Sequence, residues 1–238
     1  MYNRNSGAKA DKKNAITTGV FFIAATVAAI IGLKLYDPIL SNPDYLVMGV
    51  KNSSQIVLGA IFESILACTA VGTAIMMFPY LRKFNESWGL GYVCFRLLEV
   101  VFILVGIVCM LSILSLSHEY INKTVSDTHS FQTTANILKT IHDWTFVFGP
   151  HFMLGINTFI YSVIFFQSKL VPRKLSILGI VGAILIFVGA LLEMFGLISL
   201  YSGEIIVLAL PIAIYEMVLA IWLIAKGFNL DAYEQTPQ

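Results

Sequence analysis

A chain of 238 residues has the length of one or two soluble domains, yet 58% of it is hydrophobic and 12% charged. Soluble domains average about 45–50% and about 25%. A formal charge of +1 with no dense basic run gives no footprint for nucleic acid, and a mean hydropathy of +0.82 excludes a disordered or collagen-like chain. The apolar residues form long continuous runs rather than alternating ones, which predicts an all-α polytopic membrane protein and not a barrel.

In chain order, residues 1–14 form a basic tail and 15–36 the first apolar run. That run exceeds an ordinary signal core, and no small-x-small cleavage site precedes Asp37 and Pro38, so it reads as a membrane helix. Further runs at 55–78, 91–115, 145–167, 175–198 and 204–225 complete a predicted six-helix transmembrane domain over 15–225. Each meets the length of about 20 residues that crosses about 30 Å of hydrocarbon. Between the third and fourth lies a polar loop, 116–143, with His118, Glu119, His129 and His142. Ile137, Ile141 and Trp144 recur there at helical spacing, which predicts a short amphipathic helix on the outer surface. Pro150 and Pro211 each demand a kink or a fresh helix start. Residues 226–238 form a second tail.

Lysine and arginine set the expected orientation. Arg4, Lys9, Lys12, Lys13, Arg82, Lys83, Lys169, Arg173, Lys174 and Lys226 fall on one side, against Lys34, Lys51, Lys123 and Lys139 on the other, where Asp37, Asp44, Glu119 and Asp127 offset them. Both termini are therefore expected in the cytoplasm. Cys68, Cys94 and Cys109 fall inside spans, so no disulfide is expected. Asn52-Ser53-Ser54 and Asn122-Lys123-Thr124 match the glycosylation pattern on the outer side. Tyr36, Tyr80, Trp88, Tyr92, Trp144 and Tyr201 sit at span ends and read as an interfacial belt.

Ionisable residues within spans cost about 2.5–3.5 kcal/mol each on insertion scales, so they mark the candidate site. They are Glu63, Arg96, Glu99, His151, Glu193 and Glu216. Small residues share their faces: Gly59, Ala67, Ala70 and Ala74 with Glu63; Gly182, Gly189 and Gly196 with Glu193; Ala209, Ala213 and Ala220 with Glu216. Gly155, Thr158 and Ser162 continue a polar stripe from His151. Such faces should turn into the bundle. Depth, at about 1.5 Å per residue, divides the six into two layers. Glu63, His151 and Glu193 form an outer binding layer that could receive an ion, a small molecule or a divalent metal, although the Glu-x-x-His spacing of di-iron bundles is absent. Arg96, Glu99 and Glu216 form a deeper polar clamp, Arg96 pairing with Glu99 one turn along, with Glu216 across the bundle, or with both. A purely structural use of either layer stays open.

Three segments carry a resemblance: Leu170-Val171-Pro172-Arg173-Lys174-Leu175-Ser176-Ile177-Leu178-Gly179, Phe95-Arg96-Leu97-Leu98-Glu99, and Pro211 through Glu216 to Trp222-Leu223-Ile224-Ala225-Lys226-Gly227. Together they resemble a bacterial integral-membrane family known as domain of unknown function 4386. The resemblance implies a multi-pass protein of the bacterial cytoplasmic membrane, in which the glycosylation matches have no meaning, and it implies no activity, substrate or cofactor. The residues themselves favour a small-molecule or ion binding, transport or accessory role, in contact with the lipid bilayer and with a homo-oligomer as an option. A membrane-embedded metal-dependent enzyme and a non-catalytic structural or sensing component are the alternatives.

Overall fold

A computed structural model describes residues 4–122 and 128–230. The expectations for Lys123, Thr124, Asp127 and most of the second tail lie outside those residues. The elements are α1 Arg4–Leu35, α2 Asp37–Leu40, α3 Tyr45–Lys51, α4 Ser53–Phe84, α5 Glu86–Asn122 and α6 Thr128–Phe146. A π-helix, Val147–Met153, leads without a break into α7 Leu154–Ser168, and α8 Arg173–Met194 and α9 Gly203–Ala225 follow. There are six helical stretches long and apolar enough to span a membrane, and no strand occurs among the described residues. Continuous helix is what lipid demands, because no water is present there to satisfy open backbone groups.

The spanning helices pack in ring order: α1 on α4, α4 on α5, α5 on α7, α7 on α8, α8 on α9, and α9 back on α1. Small residues set the close approaches. A Cβ added at Gly19 would lie 2.6 Å from the Ala220 carbonyl, one at Gly155 would meet Ala183 and Phe187, and one at Gly182 would meet the Ile212 backbone. The α4 face of Gly59, Ala67, Ala70 and Ala74 is buried as its pattern requires.

One end of the ring gathers the basic residues. Tyr80 at the end of α4 donates to Asp11, Phe228 packs on Tyr80, and the Asn229 amide bonds to the Leu170 carbonyl in the α7–α8 turn. Just inside that end lies an apolar core rich in aromatics, with Phe22, Tyr92, Tyr161, Phe165 and Tyr215 all fully buried.

The opposite end departs from expectation. α5 has 37 residues, about 55 Å at 1.5 Å per residue, so it projects past the hydrocarbon. α6 packs along it and runs straight into the π-helix, replacing the expected surface-lying amphipathic helix with an extension of span four. Phe131 and Ala135 of α6 are buried against Leu46, while Tyr45 donates to Asn136 Oδ1 at 2.6 Å and Lys139 to the Leu40 carbonyl at 2.7 Å. Those contacts with α2 and α3 hold α6 upright. The fifth span ends at Met194 rather than 198, because Gly196 turns the chain at φ +68°. Tyr36, Tyr80 and Tyr92 are core residues and not members of an interfacial belt, whereas Trp88, Trp144 and Tyr201 stay exposed. All three cysteines are free thiols.

Candidate functional site

Arg96 and Glu99 lie three residues apart on α5 and are 3% and 4% exposed. Arg96 Nη1 donates to Glu99 Oε2 at 3.0 Å, and its Nε and Nη2 both reach Thr73 Oγ1 of α4 at 3.3 Å. Asn157 of α7 donates to the same Glu99 oxygen at 2.6 Å. The Phe22 ring of α1 lies 6.0 Å from the guanidinium carbon. Burying an ion pair is tolerated only when such further bonds satisfy both partners. Hydrogen bonds involving α4, α5 and α7 therefore converge on one neutralised pair. Thr73 and Asn157 were not among the sequence candidates. Both are polar residues inside apolar runs, and that was the available signal.

This pair forms part of the wall of a cavity of about 250 Å³. Glu63 of α4 and Glu216 of α9 line it too, with Thr26, Ala29, Ile30 and Leu33 of α1, Ala213 of α9, and Phe146, Pro150 and Leu154 above. Glu63 lies against Gly32, where an added Cβ would come within 2.9 Å of Oε1, so the absence of a side chain on α1 gives the carboxyl its place. Glu216 Oε1 is buried without a hydrogen-bond partner. Arg96 forms its ion pair with Glu99, and among the described residues no Lys or Arg is ion-paired to the other two carboxyl groups on the wall, Glu63 and Glu216. Beyond the cavity, toward the basic end, Ser162 donates to Tyr215 at 3.0 Å and the Tyr161 and Tyr215 rings stack at 6.0 Å.

His151 and Glu193 meet elsewhere. His151 stands on the π-helix, and its Nδ1 is 2.7 Å from Glu193 Oε2 at the end of α8. Phe146 packs edge-on against the imidazole at 5.0 Å and also against the Tyr201 ring at 5.6 Å. Tyr201 has a left-handed backbone, φ +66°, and donates to Asp143 at 3.4 Å. Although Tyr201 as a whole is exposed, partial desolvation of its phenol end and the adjacent Asp143 carboxylate hold the phenol above the usual tyrosine range, so it remains a donor. Pro150 lacks an amide hydrogen, which suits a π-turn, a feature that recurs at functional sites.

Phe146, which packs on His151, also lines the cavity that holds Glu63, Arg96, Glu99 and Glu216. His151 and Glu193 pair with each other, and Glu63 shares a cavity with Arg96, Glu99 and Glu216. Among the described residues no group of three or more His, Cys, Asp or Glu side chains converges as a metal ligand set. Packing decides this: Glu63 is turned toward α1 by Gly32, while the π-helix turns His151 toward α8.

A family model for a domain of unknown function, DUF4386, matches residues 17–227. The chain belongs to this family. The DUF4386 match takes in most of the first spanning stretch, the other five in full, and every residue of the site just described. No curated protein and no solved structure matches the chain. The family description carries no activity, so the chemistry of this DUF4386 member rests on its own residues.

Proposed function

We propose that this DUF4386 protein is a multi-pass protein of the bacterial cytoplasmic membrane, with both termini cytoplasmic, that binds or transports a small cation or cationic small molecule in the cavity between α1, α4, α5, α7 and α9. The observation that carries the reading is the buried, partnerless Oε1 of Glu216 on a wall that also holds Glu63, while Arg96 is already bonded to Glu99. An ionised carboxylate in such surroundings requires a positive partner, and a neutral one requires a proton; either makes the cavity a cation-responsive site. Arg96, Glu99, Thr73 and Asn157 form the clamp that holds three helices around it. The His151–Glu193 pair ties the π-helix to α8 on the outer side. A divalent metal at Glu63, His151 and Glu193 has no convergent ligand set in its favour among the described residues.

Infrared difference spectroscopy on the protein in lipid nanodiscs tests this. Adding sodium, potassium or methylammonium chloride, or lowering the pH, is expected to perturb a carboxyl band that disappears in Glu216→Gln. No perturbation from any of these probes, in protein whose Glu216→Gln variant is equally well folded, would overturn the assignment.

A further inference from the structure

The neighbours of α1 and α9 determine where the cavity opens. Near the basic end the two helices touch: an added Cβ at Gly19 would meet the Ala220 carbonyl at 2.6 Å and Ile224 at 2.8 Å. Toward the other end each leans on a different partner. α1 approaches α4, where Gly32 lies under Glu63 and Gly59 under Tyr36, while α9 approaches α8, where Gly182 faces Ile212 and Gly189 faces Ile205. Ile30 of α1 lines the cavity and is also 66% exposed, so it stands at a rim. Ala213 lines it from α9, and its neighbours Leu210 and Ile214 face outward, 55% and 46% exposed. These residues sit within helices that cross hydrocarbon, so what they face outward is lipid.

The lining has the matching chemistry. Most of it is apolar, from Ala29, Ile30, Leu33 and Leu154, and its ionisable part is Glu63, Glu216 and the Arg96–Glu99 pair. The buried aromatic cluster of Phe22, Tyr92, Tyr161 and Tyr215 lies on the way to the basic end. A small hydrated ion gains nothing from an alkyl wall, whereas a molecule with an alkyl body and a cationic head satisfies both surfaces.

We propose that the cavity opens sideways into the bilayer between α1 and α9, in the leaflet away from the basic end, and that its ligand is an alkylammonium amphiphile whose protonated amine reaches Glu216 and Glu63. This rests on the cation-site reading above and names its ligand class and route. The alkyl chain would lie along Ile30 and Leu33, and the ammonium would supply the donor that Glu216 Oε1 lacks.

The test uses the full chain in nanodiscs and two amphiphilic probes, a nitroxide-labelled long-chain amine and the equally labelled neutral alcohol, read by electron paramagnetic resonance. A motionally restricted amine component, absent for the alcohol and weakened at least tenfold in Glu216→Gln, is the expected result. Glu63→Gln is the second variant should Glu216→Gln fold poorly. Leu210→Trp, on the outward face beside the opening and outside the cavity lining, should weaken the restricted amine and leave the methylammonium infrared response intact. Equal restriction of amine and alcohol would overturn the proposal, as would loss of both responses in Leu210→Trp. If methylammonium or sodium perturbs the Glu216 band while the amine stays mobile, the cation site stands and the sideways route falls. If no probe responds, both fall.

Discussion

At the scale of single residues, the Arg96–Glu99 pair shows why a buried charge is kept. Its net stabilisation is small, but losing one partner is costly, because the survivor is left charged in hydrocarbon. Arg96→Met is therefore expected to lower unfolding free energy by about 3–5 kcal/mol, and Arg96→Met with Glu99→Leu to recover much of that loss, both read by denaturant titration in mixed micelles. Asn157→Ala removes the 2.6 Å donor to Glu99 and should cost about 1–3 kcal/mol in the same assay. An unchanged midpoint for Asn157→Ala would show that Glu99 is satisfied without it. Arg96, Glu99 and the other ionisable candidates were legible in the sequence because charge is conspicuous in an apolar run. Thr73 and Asn157 were less so, since isolated hydroxyls and amides are common in spans, and only the neighbouring helix shows which of them meets a charge.

At the scale of elements, the turns decide more than the spans do. α8 stops because Gly196 takes φ +68°, with nothing within 4 Å of where its Cβ would stand. Gly196→Ala should thus cost about 1–2 kcal/mol through backbone strain alone. Gly203, at the start of α9, has equally open surroundings and no positive φ, so Gly203→Ala should cost nothing. Comparing the two thermal midpoints separates conformation from packing; equal midpoints would refute the strain argument. The π-helix at Pro150 was foreseen only as a break or a bend, because a sequence reports the missing amide and not how neighbouring turns absorb it. α6 forms where the spacing of Ile137, Ile141 and Trp144 predicts a helix, but its attitude depends on its neighbours for a related reason. Its Ile137, Ile141 and Trp144 are exposed, as an interfacial helix would have them, but Phe131 and Ala135 anchor a different stripe against Leu46.

At the scale of the whole molecule, six spans close into a ring in which the last returns to the first. The basic end carries Lys12, Lys174 and Lys226 beside the α1, α8 and α9 ends that belong to it, and the proposed cytoplasmic placement of that end is open to direct test. In a variant lacking the native cysteines, Ser130→Cys on α6 should react with a membrane-impermeant maleimide on intact cells, and Lys174→Cys only after permeabilisation. The reverse pattern would invert the topology.

Sequence by itself determined the membrane nature, the number of spans and their approximate limits, because whether a helix inserts depends mainly on its own residues and their cost of transfer into lipid. On the second span it also marked the buried stripe of Gly59, Ala67, Ala70 and Ala74, since small residues at helical spacing permit close approach whatever the partner. The Arg96–Glu99 pair follows from a spacing of three on one helix, but that His151 meets Glu193 and that Glu63 lines one cavity with Arg96, Glu99 and Glu216 was decided by the tertiary structure, through the π-turn, the Gly32 contact and the ring closure of α9 on α1. Depth along a helix follows from residue number, but rotation about its axis and the choice of neighbour follow from packing, and ion pairs and cavities depend on both.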